Sequence, residues 1–346
     1  MNTNPEHRIL EFLKFQPSGS SKQLHDLLDD LNSYATTKRL VAKMVQDDIL
    51  ISTGQGKGTR YSLSPSFQLL QPIEVDKYFE KEIDERDIKK SFNLDIITKV
   101  LNKCNVFTKS ELDILLNLQT KYKENIAQLT RPEYLKELER LAIDLSWKSS
   151  QIEGNTYSLL ETERLFKDKQ TASGKTKDEA TMLLNHKEAI DFIIEHPDYL
   201  SPLSVSKIED IHTILIKDLE IERNLRKRRV GISGTNYKPL DNEFQITEAV
   251  TAMCEVVNSK ENIFEKALIA LVLLSYIQPF MDGNKRTARI VSNSILIASE
   301  HCPISFRTVD SLEYKKSMLI FYEKNNISSF KKIFIEQFQF AVNTYF

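Results

Sequence analysis

The chain has 346 residues, with 47 Lys or Arg against 49 Asp or Glu, so its formal charge is −2 and no global basic field draws it to nucleic acid. Hydrophobic residues make up 41%, enough for a sizeable core. Only 9 glycines occur, where average usage of about 7% would give roughly 24, which excludes a turn-rich β sandwich or barrel and predicts a mainly α fold. Cys104, Cys254 and Cys302, without CxxC spacing, exclude a disulfide framework or a zinc site and fit a reducing cytoplasm. The polar stretch Met1–Arg8 reads as no signal peptide, and the apolar run Ala267–Ile277 is too short to span a bilayer. A cytoplasmic protein with no membrane partner is expected.

Apolar residues at helical spacing predict helices over His7–Phe15, Lys22–Leu31 and Ser33–Asp47. In the third, Leu40, Val41, Met44 and Val45 form the apolar stripe, and Thr36, Thr37, Lys38 and Lys43 are expected to face outward. Ile49–Thr53 and Thr59–Leu63 read as short strands joined by the tip Gly54–Gly58. Three helices and a hairpin predict a winged helix over 1–68, its third helix entering a major groove and its wing touching phosphates. Thr37, Lys38 and Lys43 on the helix, with Arg39 beside them, and Lys57 and Arg60 on the wing are the candidate DNA contacts. Protein contact or dimerisation through this domain stays open beside DNA binding.

Residues 69–130 read as a helical connector. Asp76–Lys90 is densely charged with both signs and predicts a solvated helix; Phe92–Leu101 and Lys109–Leu118 read as amphipathic helices. From Pro132 to Lys148, Leu135, Leu138, Ala142 and Leu145 recur at helical spacing, and this helix runs into Ser149-Ser150-Gln151-Ile152-Glu153-Gly154-Asn155-Thr156. Gly154-Asn155 is a helix-stop pair. Glu153, an acid placed against the dipole at a helix C-terminus, requires a cationic partner elsewhere.

Arg223–Arg229 holds five cations in seven residues, and short β-type segments around Gly231 and Gly234 predict a hairpin suited to clamping a peptide by strand addition. Phe264–Ile277 is nearly continuous apolar sequence, a helix buried on all sides. It stops at Gln278-Pro279-Phe280-Met281-Asp282-Gly283-Asn284-Lys285-Arg286-Thr287-Ala288-Arg289, after which Ile290, Val291, Ile295 and Leu296 resume the helical period. A loop with Asp-Gly-Asn at a helix N-terminus presents free N–H groups and the positive dipole end, the ingredients of a phosphate cradle. Lys285, Arg286 and Arg289 oppose that dipole unless an anion lies between them. Asp282 is a hard oxygen ligand suited to Mg²⁺ beside bound phosphates.

The stretch Gln278–Arg289 closely resembles HPFx(D/E)GNGRxxR, the signature of Fic (Fido) proteins, most of which transfer AMP from ATP to a hydroxyl on a target protein. Ser149–Asn155 resembles the family's inhibitory pattern (S/T)xxxE(G/N), Asn224–Pro239 its flap, and Ile211-His212 the helix before it. The resemblance implies a Fic helical core with a small β-hairpin flap and an inhibitory helix over 131–346, and some relatives carry an N-terminal winged helix. It further implies that Asp282 holds Mg²⁺ on the ATP phosphates and that Gly283, Asn284 and Lys285 form the anion nest. Arg286 would contact the phosphates and Arg289 would pair with the γ-phosphate. Glu153, with Ser149, Gly154 and Asn155 around it, would compete by pairing with Arg289. A target protein would dock at the flap 224–239, and a homodimer is expected by resemblance alone.

Two positions depart from the pattern. Gln278 stands where the family has its general-base histidine; an imidazole titrates near 6.5 and a glutamine amide does not. Losing a positioned base removes roughly 10²–10⁴ of rate, so an inactive or impaired adenylyltransferase is expected. Lys285 stands where glycine is usual, as in Doc-type relatives, which phosphorylate. A Doc-like phosphotransferase, a nucleotide-sensing DNA-binding regulator without catalysis, and a scaffold whose flap binds an extended peptide are the alternatives.

Overall fold

The computed structural model describes residues 4–28 and 31–346, in two compact units, Met1–Gln71 and Pro72–Phe346. In the first unit, α1 (Pro5–Phe15) opens with Asn4 accepting the Glu6 N–H and proline at its first position. The next helix, α2 (Ser21–Asp26), follows a capping box of Ser20 and Gln23, and α3 (Tyr34–Gln46) is capped by Ser33. The helix expected over Lys22–Leu31 therefore stops at Asp26, and Asp29 and Asp30 lie outside the described residues. Strands β1 (Gly19–Ser20), β2 (Leu50–Thr53) and β3 (Arg60–Leu63) form an antiparallel sheet in the order β1-β3-β2, with Leu50 opposite Leu63 and Thr53 opposite Arg60. Ile9, Leu13, Leu24, Leu28, Val41, Met44, Leu50 and Leu63 share one core. Gly54 is required at the tip: its φ is +78°, and a Cβ there would sit 2.6 Å from the Gly58 carbonyl oxygen. The short helix α4 (Pro65–Leu70) ends the unit.

Two candidate DNA contacts are placed differently from expectation. Thr37 is only 1% exposed; it extends the stripe of Val41 and Met44 inward, and its hydroxyl donates to the Ser33 carbonyl at 3.2 Å. Arg60 is exposed, but its guanidinium is turned onto Ser18, with Nε 2.8 Å from Oγ and Nη2 3.1 Å from the carbonyl, tying β3 to the approach of β1. Lys38, Lys43 and Lys57 are exposed.

The second unit begins with α5 (Val75–Phe79) and a 3₁₀ turn at Ile83–Glu85, after which the chain runs without helix to an isolated bridge at Ser91. The single solvated helix expected over Asp76–Lys90 does not form. Several of its polar groups reach distant partners instead: the buried carboxylate of Glu323 accepts from Arg86 Nη1 at 3.0 Å and from the Tyr78 hydroxyl at 2.6 Å. A π-helical turn at Ile96–Leu101 leads into α6 (Lys109–Ile126) and α7 (Arg131–Ile152), each started by a Thr/Glu capping box. Then follow α8 (Leu159–Asp168), α9 (Lys177–Glu195), α10 (Val205–Leu215), α11 (Glu243–Ser259), α12 (Ile263–Ile277), α13 (Asn284–Ala298), α14 (Ser311–Lys324) and α15 (Ser328–Thr344). The centre is α12, buried on every side from Ala267 to Ile277 and packed on α11, α13, α14 and α15. Among the described residues, no helix is long and apolar enough to cross a membrane.

Between α10 and α11 no hairpin forms, contrary to expectation. Gly234 makes a turn with φ +86°, yet the one strand-like pairing of this flap is the isolated parallel bridge from Lys238 to Ser91. The Lys238 N–H donates to the Lys90 carbonyl at 2.9 Å, Arg86 Nη2 to the Gly234 carbonyl at 3.3 Å, and Asn236 Nδ2 to Asp84 at 2.9 Å. The flap finds its strand neighbour in the connector, and local turn signals carry no information about that.

Arg86→Met leaves the Glu323 carboxylate buried without its guanidinium, so urea unfolding of the variant should show a loss of about 3–5 kcal/mol.

Candidate functional site

Helix α12 stops at Gln278, which adopts the left-handed conformation with φ 53° and ψ 57°. That conformation costs a side-chain-bearing residue about 1–2 kcal/mol, and a full set of hydrogen bonds offsets it. The Gln278 N–H donates to Leu274 at 3.1 Å, and its carbonyl accepts from Arg226 Nε at 2.6 Å. Its side-chain Nε2 donates to the Ser275 carbonyl at 2.6 Å, and Oε1 accepts from Asn284 Nδ2 at 3.1 Å. Arg226 also donates its backbone N–H to the Pro279 carbonyl at 2.9 Å, so the buried guanidinium pins the base of the flap to the end of α12.

Beyond Gln278 the loop closes on itself. Asn284, the first residue of α13, accepts the Phe280 N–H at 2.7 Å and donates to the Phe280 carbonyl at 2.9 Å. Gly283 is the N-cap with φ +80°, and a Cβ there would meet the His212 ring at 3.4 Å. That ring stacks on Phe280 with centroids 3.7 Å apart and an interplanar angle of 3°, and its Nε2 lies 3.0 Å from the Asp282 carbonyl. Burial pushes the His212 pKa down to about 4, against a smaller upward pull from the Asp282 carbonyl. The neutral ring that results is the tautomer with a proton on Nε2, the one that can donate to that carbonyl.

Three cations project from the first turns of α13. Arg289 is fully buried: Nε donates to Ser149 Oγ at 2.8 Å, Nη2 to the Ser149 carbonyl at 3.0 Å and to Glu153 Oε1 at 2.8 Å. Its guanidinium carbon also lies 5.3 Å from the Tyr314 ring centre. Lys285 Nζ lies 3.3 Å from the other Glu153 oxygen, Oε2. Arg286 Nη2 donates to Asp282 Oδ2 at 3.2 Å. Burial raises the Glu153 pKa, but the charges and hydrogen bonds of Arg289 and Lys285 outweigh it and hold the carboxyl below its ordinary value. Glu153 is the C-cap of α7; Gly154 follows at φ +102°, and Asn155 is pinned to α9 by Nδ2 on the Glu179 carbonyl at 2.9 Å.

Three buried guanidinium nitrogens around this loop, Arg226 Nη2, Arg286 Nη1 and Arg289 Nη1, have no hydrogen-bond partner. Unpaired buried donors on cationic groups, beside a helix N-terminus whose first N–H groups have no intrahelical acceptor, fit an anion with several oxygens. Asp282 is 65% exposed on its side chain and touches only Arg286 among its ion pairs, so it is free to take a hard cation. Among the described residues, no group of three His, Cys, Asp or Glu could hold a metal alone, so Mg²⁺ at Asp282 would need phosphate oxygens as further ligands.

The site residues singled out in the sequence around 149–155 and 278–289 therefore meet in one place, although the Asn284 side chain is spent on the loop itself. The sequence does not mark Arg226 as the anchor of the loop, His212 as its stacked support, or His186. Burial and the nearby charges of Arg289 and Arg286 drive the His186 pKa well down, and neither of its ring nitrogens has a partner. The one available signal for Arg226 was its place in the cation cluster 223–229, which gives no hint that it alone turns inward. A cleft of about 660 Å³ opens at the flap's base, lined by Glu209, Glu222, Arg223, Leu225, Arg228 and Glu243 among others, and no residue of the anion loop lines it.

Residues 202–296 match the family model described as Fic/DOC family. A protein adenylyltransferase Fic of Nematostella vectensis is 27% identical over 184 residues, covering 49% of this chain and 40% of that protein. Protein adenylyltransferase fic-1 of Caenorhabditis elegans is 25% identical over 177 residues, covering 48% of this chain and 34% of its own length. The chain thus spans well under half the length of the curated relatives it matches. Among solved structures, Fic-1 of C. elegans superposes with a TM-score of 0.59 at 20% identity, covering 68% of this chain and 72% of that one. A Fic domain containing signaling protein from Bacteroides thetaiotaomicron superposes with a TM-score of 0.57 at 20% identity, covering 67% and 95%. These likenesses assign the fold.

His212 stays neutral in the folded chain down to about pH 4, whereas the unfolded chain protonates it near 6.5. The unfolded state binds more protons between those values, so the stabilising contribution is full above pH 6.5 and is lost as pH falls towards 4. A pH series of urea midpoints should show that decline, and His212→Gln should make it shallower, with His186 and His301, whose pKa values burial also lowers, contributing to the remainder.

Proposed function

We propose that this chain, with its Fic/DOC-family core, is an adenylyltransferase-type protein held in an inhibited state by Glu153 and deprived of its proton acceptor by Gln278. The observation that carries the nucleotide half is the pair of unpartnered buried guanidinium nitrogens, Arg286 Nη1 and Arg289 Nη1, carried by the first turns of α13. The relatives named protein adenylyltransferases supply the reaction class.

In that reaction a target hydroxyl oxygen bonds to the α-phosphorus of ATP, the α–β bridging P–O bond breaks, and pyrophosphate leaves. Arg286, Arg289, Lys285 and the first N–H groups of α13 hold the phosphates, with Asp282 as the protein ligand for Mg²⁺. When bound, the ion neutralises phosphate charge. The proton of the target hydroxyl has to leave as the oxygen attacks. Gln278 offers no basic lone pair, because amide resonance delocalises its nitrogen pair, and its Oε1 and Nε2 are engaged by Asn284 and the Ser275 carbonyl. Glu153 occupies Arg289 and Lys285, so its carboxylate stands where phosphate oxygens would bind. The target segment approaches along the flap 224–239. Phosphoryl transfer of the Doc type remains the variant reading that Lys285 supports.

Glu153→Gly should bind ATP with Mg²⁺ in calorimetry. The double variant Glu153→Gly, Gln278→His should label protein from α-labelled ATP, about 10²–10⁴ faster than Glu153→Gly alone. Label transferred only from the γ position would replace AMP transfer by phosphoryl transfer.

A second reading, a nucleotide-sensing DNA-binding regulator, rests on the fully engaged Gln278 amide and on the exposed Lys38, Lys43 and Lys57 of the first unit. It predicts a gel shift of duplex DNA at low salt whose strength changes with ATP in the Glu153→Gly background. Absence of any shift sinks it.

A further inference from the structure

Lys285 sits in the first turn of α13, where the helix dipole disfavours a cation, and a surface lysine there would be expected to swing its ammonium into water. It does not. Its side chain is 25% exposed and is turned onto Glu153, whose own side chain is 20% exposed. The carboxylate is shared without competition: Oε1 takes Arg289 at 2.8 Å, and Oε2 takes Lys285 at 3.3 Å. Glu153 is therefore clasped from two sides, by one buried and one partly exposed cation. Once Glu153 is gone, Lys285 and Arg289 both face the same vacated volume, beside Arg286 with its unpartnered Nη1.

Resting on the nucleotide reading above, we propose that Lys285 is an exchange residue: it holds Glu153 in the closed state and takes an ATP phosphate oxygen in the open one. Its two partners are both anions and compete for the same ammonium. The charge of Lys285 thus acts in both states. With Glu153 present the clasp opposes the phosphate contact; with Glu153 absent only the phosphate contact is left. A residue that only bound phosphate would cost the same affinity in both backgrounds when removed, and one that only braced Glu153 would cost none once Glu153 is gone.

The test is a four-protein cycle of the unaltered chain, Lys285→Met, Glu153→Gly and the double variant, Met being chosen because it keeps the aliphatic stem and removes the charge. ATP affinity with Mg²⁺ is measured by calorimetry, and amide hydrogen exchange is followed over 149–155 without nucleotide. Lys285→Met should weaken ATP binding about two- to fivefold in the Glu153→Gly background and weaken it clearly less, or tighten it, when Glu153 is present, the range for a partly exposed ion pair. Exchange at 149–155 should quicken in Lys285→Met. Equal weakening of ATP binding in both backgrounds, no weakening in the Glu153→Gly background, or unchanged exchange overturns the exchange role. Failure of Glu153→Gly to bind ATP while exchange still quickens in Lys285→Met overturns it through its nucleotide half, and so separates failure of the underlying reading from failure of the clasp. Lys285→Gln repeats the cycle if the methionine variant is not folded by circular dichroism.

Discussion

Two guanidinium groups lie almost wholly out of water at the head of α13, and the remainder of the site is arranged around keeping them there. Arg286 and Arg289 are 1% and 0% exposed, next to a helix end that already carries a positive potential. Buried charge of one sign is tolerable only with an opposite charge and hydrogen bonds close by. Glu153 supplies that charge to Arg289, Asp282 supplies it to Arg286, and Ser149 lends a hydroxyl and a carbonyl to Arg289. The end of α7 is consequently tied to α13 by electrostatics rather than by apolar packing alone. His186 on α9 is kept neutral by burial first and by the charges of Arg289 and Arg286 second.

Much of this was legible in the sequence because it is local. The interrupted apolar run before Gln278, the glycine after Asp282 and the acid at the end of a long amphipathic pattern each announce a conformation within a few residues. What could not be read is what depends on partners far along the chain. Thr37 looked exposed because a threonine among lysines reads as polar surface, yet its position one helical turn before Val41 puts it in the core. The flap's glycines predicted a turn correctly at Gly234 and a hairpin wrongly, since its strand neighbour is Ser91. The charged run Asp76–Lys90 looked like a helix in water, but Glu323 draws Arg86 and Tyr78 out of any local pattern. Arg226 was one of five cations, and only packing distinguishes it from the four that stay exposed.

The connector therefore has a structural task that its composition conceals. It carries the buried Arg86–Glu323 pair on one side and the hydrogen bonds to Gly234, Asn236 and Lys238 on the other. Helix α14 and the flap are joined through it as well as by direct packing, Tyr237 stacking on Tyr322 with ring centres 5.5 Å apart. A segment without long helix thereby sets the position of a segment without a sheet.

The self-closure of the loop at Asn284 bears on how any anion would be received. Its carboxamide meets both the N–H and the carbonyl of Phe280 and also the Gln278 side chain, while the His212 ring lies flat beneath. The conformational entropy of ordering this turn was spent when the chain folded, not when a ligand arrives. An anion bound there would meet donors at set positions, so discrimination among anions would rest on size and shape rather than on how far the loop can bend to meet them.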